Sequence, residues 1–188
     1  MKKLLFGLVL ACSISASAQD CDYSINDTTA GEELKTTREY LMHEKVFGGT
    51  SQFVFFSLSN SQGVPLLNFQ LLSKSTEFTR ATCLDSTSKI YVQLLNGKII
   101  TLISAAEEQC SGLVYDEKEK NNIRILTGVF LFTKGSLEEL EKSPISFIRV
   151  KYATETVDYT IKNELQSETM GKKYNPESYF MNTLKCVK

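Results

Sequence analysis

One histidine, no tryptophan and three prolines in 188 residues remove several chemistries before any motif is sought. Zinc enzymes usually need several imidazoles, and HExxH is absent, which argues against a His-based metal site. The lone His43 lies in Tyr40-Leu41-Met42-His43-Glu44-Lys45, and no GxSxG elbow or comparable nucleophile context accompanies it. A Ser-His-Asp triad therefore has nothing to assemble from, and His43 is expected on a strand face. Neither a P-loop nor GxGxxG occurs, so nucleotide binding through a glycine-rich loop has no support. Positive charge is not in excess either, with 21 Lys and Arg against 22 Asp and Glu. Without a basic stripe the chain lacks the electrostatic grip on phosphate backbones that nucleic acid or an anionic membrane surface would require. After Leu10 no apolar run approaches the length of a membrane-spanning helix.

What is present begins at the N-terminus. Lys2 and Lys3 give a positive start, Leu4 to Ala11 an apolar run, and Ala16-Ser17-Ala18 a small-residue cleavage site. Residues 1–18 thus read as a secretory signal peptide, and the mature chain is expected to start at Gln19 in the periplasm or outside the cell. Loss of Lys2 and Lys3 takes the formal charge from −1 to −3. Val9-Leu10-Ala11-Cys12 also resembles the lipobox of bacterial lipoproteins, although Leu10 stands where a smaller residue is usual. A lipid anchor at Cys12 is the alternative reading of this segment.

Beyond Cys12 four cysteines remain, Cys21, Cys83, Cys110 and Cys186. An even set in an exported chain reads as two disulfides with three possible connectivities, against the alternative of four buried thiols. Cys83 and Cys110 flank one predicted hairpin, while Cys21 and Cys186 would tie the two chain ends together. These pairings are preferred, and in the loop-entropy model they contribute at most roughly 3.5 and about 5 kcal/mol. Cysteines committed to bridges leave no thiolate for attack beside His43.

The sequence carries no repeat or Pro/Gly-rich linker. A polar lead-in over 19–34 and one β-rich domain over 35–188 are expected. Thr36 to Val46 reads as a first strand ended by Gly48-Gly49. Gln52 to Ser59 and Pro65 to Leu72 follow, joined at Ser61-Gln62-Gly63. Lys89 to Leu95 and Lys98 to Ser104 flank Asn96-Gly97, which predicts a two-residue hairpin with a type I′ turn. After the charged loop Asp116 to Asn122 comes a strand over Ile123 to Thr133. Ser136 and Glu139 form a capping box that opens a short helix ended by Ser143-Pro144. Ile145 to Tyr152 should pair with Val157 to Ile161. Asn175 and Pro176 start a C-terminal helix with Phe180, Leu184 and Val187 on one face. The expected fold is mainly β: an antiparallel sandwich or curled barrel of about seven or eight strands, one short internal helix and a C-terminal helix.

Candidate chemistry is sparse. Glu107-Glu108 and Glu138-Glu139 read as solvated faces rather than a catalytic carboxylate pair. Asp20, Asp22, Ser24 and Asn26 alternate like the opening of a calcium loop, but Ile25 replaces the required glycine and Glu32 is out of register. No catalytic residue, cofactor or metal ligand is assigned.

Three stretches, Ser88 to Lys98 (SKIYVQLLNGK), Leu137 to Leu140 and Ile145 to Val150 (ISFIRV), carry a resemblance. With the Ala-Ser-Ala signal-peptide ending and the C-terminal helix with its late cysteine, they resemble small uncharacterised secreted proteins of Bacteroidetes-type bacteria. That group has no assigned activity, so the resemblance implies none. Asp27-Thr28-Thr29 and Asp85-Ser86-Thr87 also resemble the short O-glycosylation motif of those bacteria. The expectation is an exported, non-enzymatic binding or cell-envelope module with an unknown protein or envelope ligand. The alternatives are a motif-less carboxylate hydrolase, or a secreted inhibitor of a protease or toxin presenting the Asp116 to Asn122 loop.

Overall fold

A computed structural model describes residues 21–27 and 34–188. The expected signal peptide with Cys12, and Asp20, Thr28, Thr29 and Glu32, lie outside the described residues. Strands dominate: β1 (Tyr23–Asp27), β2 (Leu34–Thr37), β3 (Tyr40–Phe47), β4 (Thr50–Ser61), β5 (Val64–Ser75), β6 (Cys83–Asp85), β7 (Lys89–Leu94) and β8 (Ile99–Ser104). They continue with β9 (Glu108–Cys110), β10 (Gly112–Asp116), β11 (Asn121–Phe132), β12 (Ile145–Lys151), β13 (Thr156–Thr160), β14 (Leu165–Gln166) and β15 (Lys173–Tyr174). Helix α1 (Ser136–Leu140) precedes β12, and helix α2 (Tyr179–Thr183) near the C-terminus is flanked by 3₁₀ turns at Pro176–Ser178 and Leu184–Cys186.

Eleven strands form one antiparallel sheet in the order β1-β2-β4-β5-β11-β8-β7-β12-β13, with β3 on β4 and β10 on β11. The described residues thus hold far more than the expected eight strands. The surplus is short: β6–β9 and β14–β15 are separate two-stranded ladders, and β1 lies within the polar lead-in. Such ladders bury too little for an alternating apolar pattern to announce them.

β11 pairs with β8 through only Phe130 to Phe132, and the sheet turns there. Its two halves then share one core, with Val54, Phe56 and Leu58 of β4, Leu67, Phe69 and Leu71 of β5, and Ile90, Val92 and Leu94 of β7. Each set follows the two-residue period of a strand with one face inward. Gly128 belongs to this inward face; a Cβ there would overlap Leu84 of β6, which fills the space instead. The sheet does not close into a barrel. Its edges β3 and β13 approach at the His43 Nδ1 to Thr160 carbonyl contact of 3.2 Å, without a ladder between them. The C-terminal segment packs Tyr179 and Phe180 against Phe56, and Phe180 against Phe132, covering the core from that side.

Several local expectations change. The Asn96-Gly97 hairpin is a three-residue loop, Leu95-Asn96-Gly97, with Gly97 as its positive-φ residue at 85°. Gly97 N–H donates to the Leu94 carbonyl at 3.0 Å, and Leu94 N–H to the Lys98 carbonyl at 2.9 Å. The reason is register. Pairing Val92 with Ile100 and Ile90 with Leu102 keeps these four buried residues on one face, whereas a two-residue loop would slip Ile100 and Leu102 outward. The capping box does not form either. Gly135, at φ 79°, occupies the cap position of α1 with no side-chain bond, and Glu139 pairs with Lys98 at 2.6 Å and Lys142 at 3.3 Å. The C-terminal helix is shortened to α2 between 3₁₀ turns, with Phe180, Leu184 and Val187 buried.

The two disulfides are Cys21–Cys186, with Cα atoms 5.7 Å apart, and Cys83–Cys110, which joins residues directly opposite on β6 and β9. A second, smaller apolar cluster of Leu41, Phe53, Phe55 and Leu165 lies on the other face of β3 and β4, and Tyr174 packs against it.

Candidate functional site

The expected strand over Thr36 to Val46 breaks at Arg38-Glu39, and the break makes a cleft. Both pieces pair with β4, β2 at Ser59 to Ser61 and β3 at Thr50 to Phe56, which leaves Ser57 and Leu58 between them without a ladder partner on that side. A buried N–H must be satisfied, and Thr37 Oγ1 accepts that of Leu58 at 2.9 Å. The chain then loops outward through Arg38 and Glu39. Opposite this loop run Lys172 to Asn175 and the α2 residues Tyr179, Asn182 and Thr183, with Cys21 and Cys186 at one side. The cleft measures about 410 Å³.

Its walls are tied together by polar contacts. Arg38 Nε donates to Asp22 Oδ1 at 2.7 Å, and Arg38 N–H to the Asp22 carbonyl at 2.9 Å. Asn175 N–H donates to the Tyr40 hydroxyl at 2.7 Å, and Asn175 Nδ2 to the Asn163 carbonyl at 3.1 Å. Lys173 pairs with Glu164 at 3.0 Å. Tyr40 is the aromatic hinge of the site, 5.2 Å from Tyr174 edge-on and 5.3 Å from Tyr179. Tyr23 donates its hydroxyl to the Cys186 carbonyl at 2.9 Å and fastens β1 to the C-terminal turn.

The Tyr179 hydroxyl is the unusual group. Its ring is 2% exposed, and the hydroxyl forms no hydrogen bond of ordinary geometry. Thr37 is its polar neighbour; that hydroxyl accepts the Leu58 amide and keeps a second lone pair and its own O–H for Tyr179. Burial pushes the Tyr179 phenol well above its usual range, so it is a neutral donor at any ordinary pH. Buried hydroxyls usually find a partner, and leaving one unmade costs about 1–3 kcal/mol. Burial likewise raises the Tyr174 phenol, with the neighbouring Tyr40 and Glu44 adding to the effect. The cleft thus presents a cation from Lys172, acids from Asp22 and Glu39, amides from Asn175 and Asn182, and tyrosine rings. Chemically, these groups can donate to and accept from polar atoms.

The sequence-level candidates scatter. His43 packs edge-on against Tyr159 on the β3 edge, outside the cleft, and burial lowers its pKa below the usual imidazole value. Glu107, Glu108 and Glu138 are exposed, and Glu139 serves the lysine pairs of α1. Asp22 reaches the cleft, whereas Ser24 and Asn26 extend along β1. No cluster of three or more metal-ligating side chains occurs among the described residues. The Asp116 to Asn122 segment is drawn into β10 and β11, leaving a tight turn at 117–120 whose amides Lys118 and Glu119 bond Asp116 Oδ1. In Asp85-Ser86-Thr87, the Asp85 carboxylate accepts from both the Thr87 amide and hydroxyl and its pKa falls in consequence.

Tyr40, Tyr174, Tyr179, Thr37 and Lys172 were invisible as a site because they come from segments more than a hundred residues apart. The one local sign is the polar Arg38-Glu39 pair inside an otherwise strand-like run. Comparison with known protein families, curated proteins and solved structures finds no match to this chain. Two disulfides are consistent with an oxidising, exported compartment, and no helix among the described residues is long and apolar enough to cross a membrane.

Proposed function

We propose that this chain is an exported, non-enzymatic β-rich binding module, and that the cleft between the Arg38-Glu39 loop and the C-terminal segment holds its ligand. The observation that supports this most is the cleft itself, about 410 Å³, whose lining brings the exposed Lys172 and Asn182 together with the Tyr40 and Tyr174 rings. A ligand bringing oxygens to that wall can accept from Lys172 and Asn182. Oxygen-rich envelope saccharides fit this donor set, with the Tyr40 and Tyr174 rings lining the same cleft.

The test is binding of the mature chain to a panel of envelope glycans, followed by calorimetry on each hit. Lys172→Glu and Asn182→Ala should each weaken binding about tenfold, the scale of one lost hydrogen bond or charge contact. Unchanged affinity in both variants would overturn the cleft as the site. A second reading has one observation in its favour: Asp22 and Glu39 share the cleft, as a motif-less carboxylate hydrolase would need. Against it, the Asp22 side chain is 73% exposed and committed to Arg38. Product formation from a bound glycan, abolished by Glu39→Gln, would establish hydrolysis and sink the binding-only reading.

A further inference from the structure

Independently of the cleft, β10 has an unusual edge. It pairs with β11 along one side only, through five consecutive residues without a bulge, and no strand among the described residues pairs with its other side. Free edges are normally blunted by lysine, proline, a bulge or a cover. The outer strand β1 shows this, with a register shift between Tyr23 and Ile25 and a polar sequence. β10 carries no lysine, proline or bulge, and the bond from the neighbouring segment, Ser111 N–H to the Thr82 carbonyl at 2.8 Å, falls just before its first residue. Its sequence is Gly112-Leu113-Val114-Tyr115-Asp116, and Leu113, Val114 and Tyr115 are 42%, 56% and 54% exposed.

β10 sets apolar side chains on both faces of this edge. Val114 shares one face with Ile123, its cross-strand partner. Leu113 lies opposite Arg124 on the other face, and Phe78, 70% exposed, sits over that guanidinium at 5.4 Å. Arg124 is itself held by the Thr79 and Ser111 carbonyls at 3.1 and 3.0 Å, so the surface around the edge is anchored.

We infer that β10 is the pairing edge of a two-fold homodimer, antiparallel to β10 of a second copy and centred on Val114. The edge is self-complementary in that register. Val114 meets Val114 of the second copy, and Leu113 meets Tyr115 twice, an aliphatic–aromatic cross-strand pair of the stabilising kind. Asp116, the one charged residue of β10, falls opposite Gly112, so no like charges meet. Its carboxylate is already occupied by the Lys118 and Glu119 amides of its own turn. A two-fold axis closes the assembly after two copies and joins the two sheets edge to edge.

Sedimentation equilibrium of the mature chain over a range of concentrations tests this directly, together with Val114→Lys and Val114→Cys. The wild type should dimerise, and Val114→Lys, which sets two ammonium groups against each other on the axis, should be monomeric with an unchanged far-UV spectrum. Val114→Cys should give a covalent dimer on a non-reducing gel. Peptide mapping should place the bond between the two substituted positions, while Leu95→Cys at another exposed site gives none. A wild type that stays monomeric at every concentration overturns the inference, whether or not it captures an extended peptide at β10. So does a dimer that Val114→Lys leaves intact, or Val114→Cys that crosslinks no better than Leu95→Cys.

Discussion

His43 shows how a residue's surroundings can matter more than its chemical type. Its imidazole is partly buried against Tyr159, and that burial is the main cause of its lowered pKa. Lys162 and Lys45 push in the same direction, while the Thr160 carbonyl, which accepts from Nδ1 in the neutral form, opposes them. The unfolded chain therefore takes up a proton near the usual value of 6.5 more readily than the folded one does. Stability from this residue is fully present above about 6.5 and is lost as pH falls through the lower folded value. Asp85, Glu139 and Asp158 have lowered pKa values too, so their contributions fade only below the ordinary carboxylate range of about 4. Urea unfolding between about pH 7 and pH 5 should show a falling midpoint that His43→Gln largely flattens. An equal slope in both proteins would remove His43 as the cause.

At the level of elements, the long hairpins rest on turn chemistry that is only partly optimal. Gly48 and Gly49, at φ 57° and 77°, join β3 to β4 with Phe47 opposite Thr50. The next turn uses the same two-residue, doubly positive geometry at Gln62 and Gly63, with φ 52° and 83°. That is the type I′ conformation, and it matches the right-handed twist of the strands it joins. Glutamine has a Cβ that crowds the following carbonyl there, a strain asparagine tolerates better. Gln62→Asn should therefore stabilise the protein by about 0.5–1 kcal/mol, read as a higher urea midpoint at unchanged slope. The side chain is exposed, and the Asn60 carboxamide rather than Gln62 bonds the Gly63 amide at 2.8 Å, so nothing else is lost.

For the molecule as a whole, the decisive contact is between its two ends. The sheet stays open between β3 and β13, and the C-terminal segment shields the core there. Cys21–Cys186 and the Tyr23 bond to the Cys186 carbonyl clamp β1 onto that segment. Asn60 Nδ2, buried on β4, adds a 2.8 Å bond to the Val187 carbonyl. Removing this bridge as Cys21→Ser/Cys186→Ser should cost up to about 5 kcal/mol, against about 3.5 kcal/mol for Cys83→Ser/Cys110→Ser, because it closes the longer loop. Denaturant unfolding of the two double variants ranks them. Equal losses would mean that the short staple, set directly across the β6–β9 ladder, contributes more than loop length alone predicts.

Local pattern was enough for much of this architecture. Alternation along β5 and β7 marks their buried faces because a strand's side-chain period is independent of its neighbours. The apolar stripe Phe180, Leu184 and Val187 marks the buried side of the C-terminal segment for the analogous helical reason. Cysteine positions around a hairpin and at the two ends restrict which bridges a compact chain can make. The loop after Leu94 had to await the tertiary structure, since its third residue is demanded by the register of Ile100 and Leu102 in the core, not by Asn96-Gly97. The cap of α1 was equally undecidable, because Glu139 finds Lys98 from a different hairpin. The cleft and the bare β10 edge are further still from the linear sequence. They exist because β4 carries two strands on one side and leaves a gap, and because β11 is shared between β10 and β8; such pairings are set by burial across the whole sheet, which no short window of residues contains.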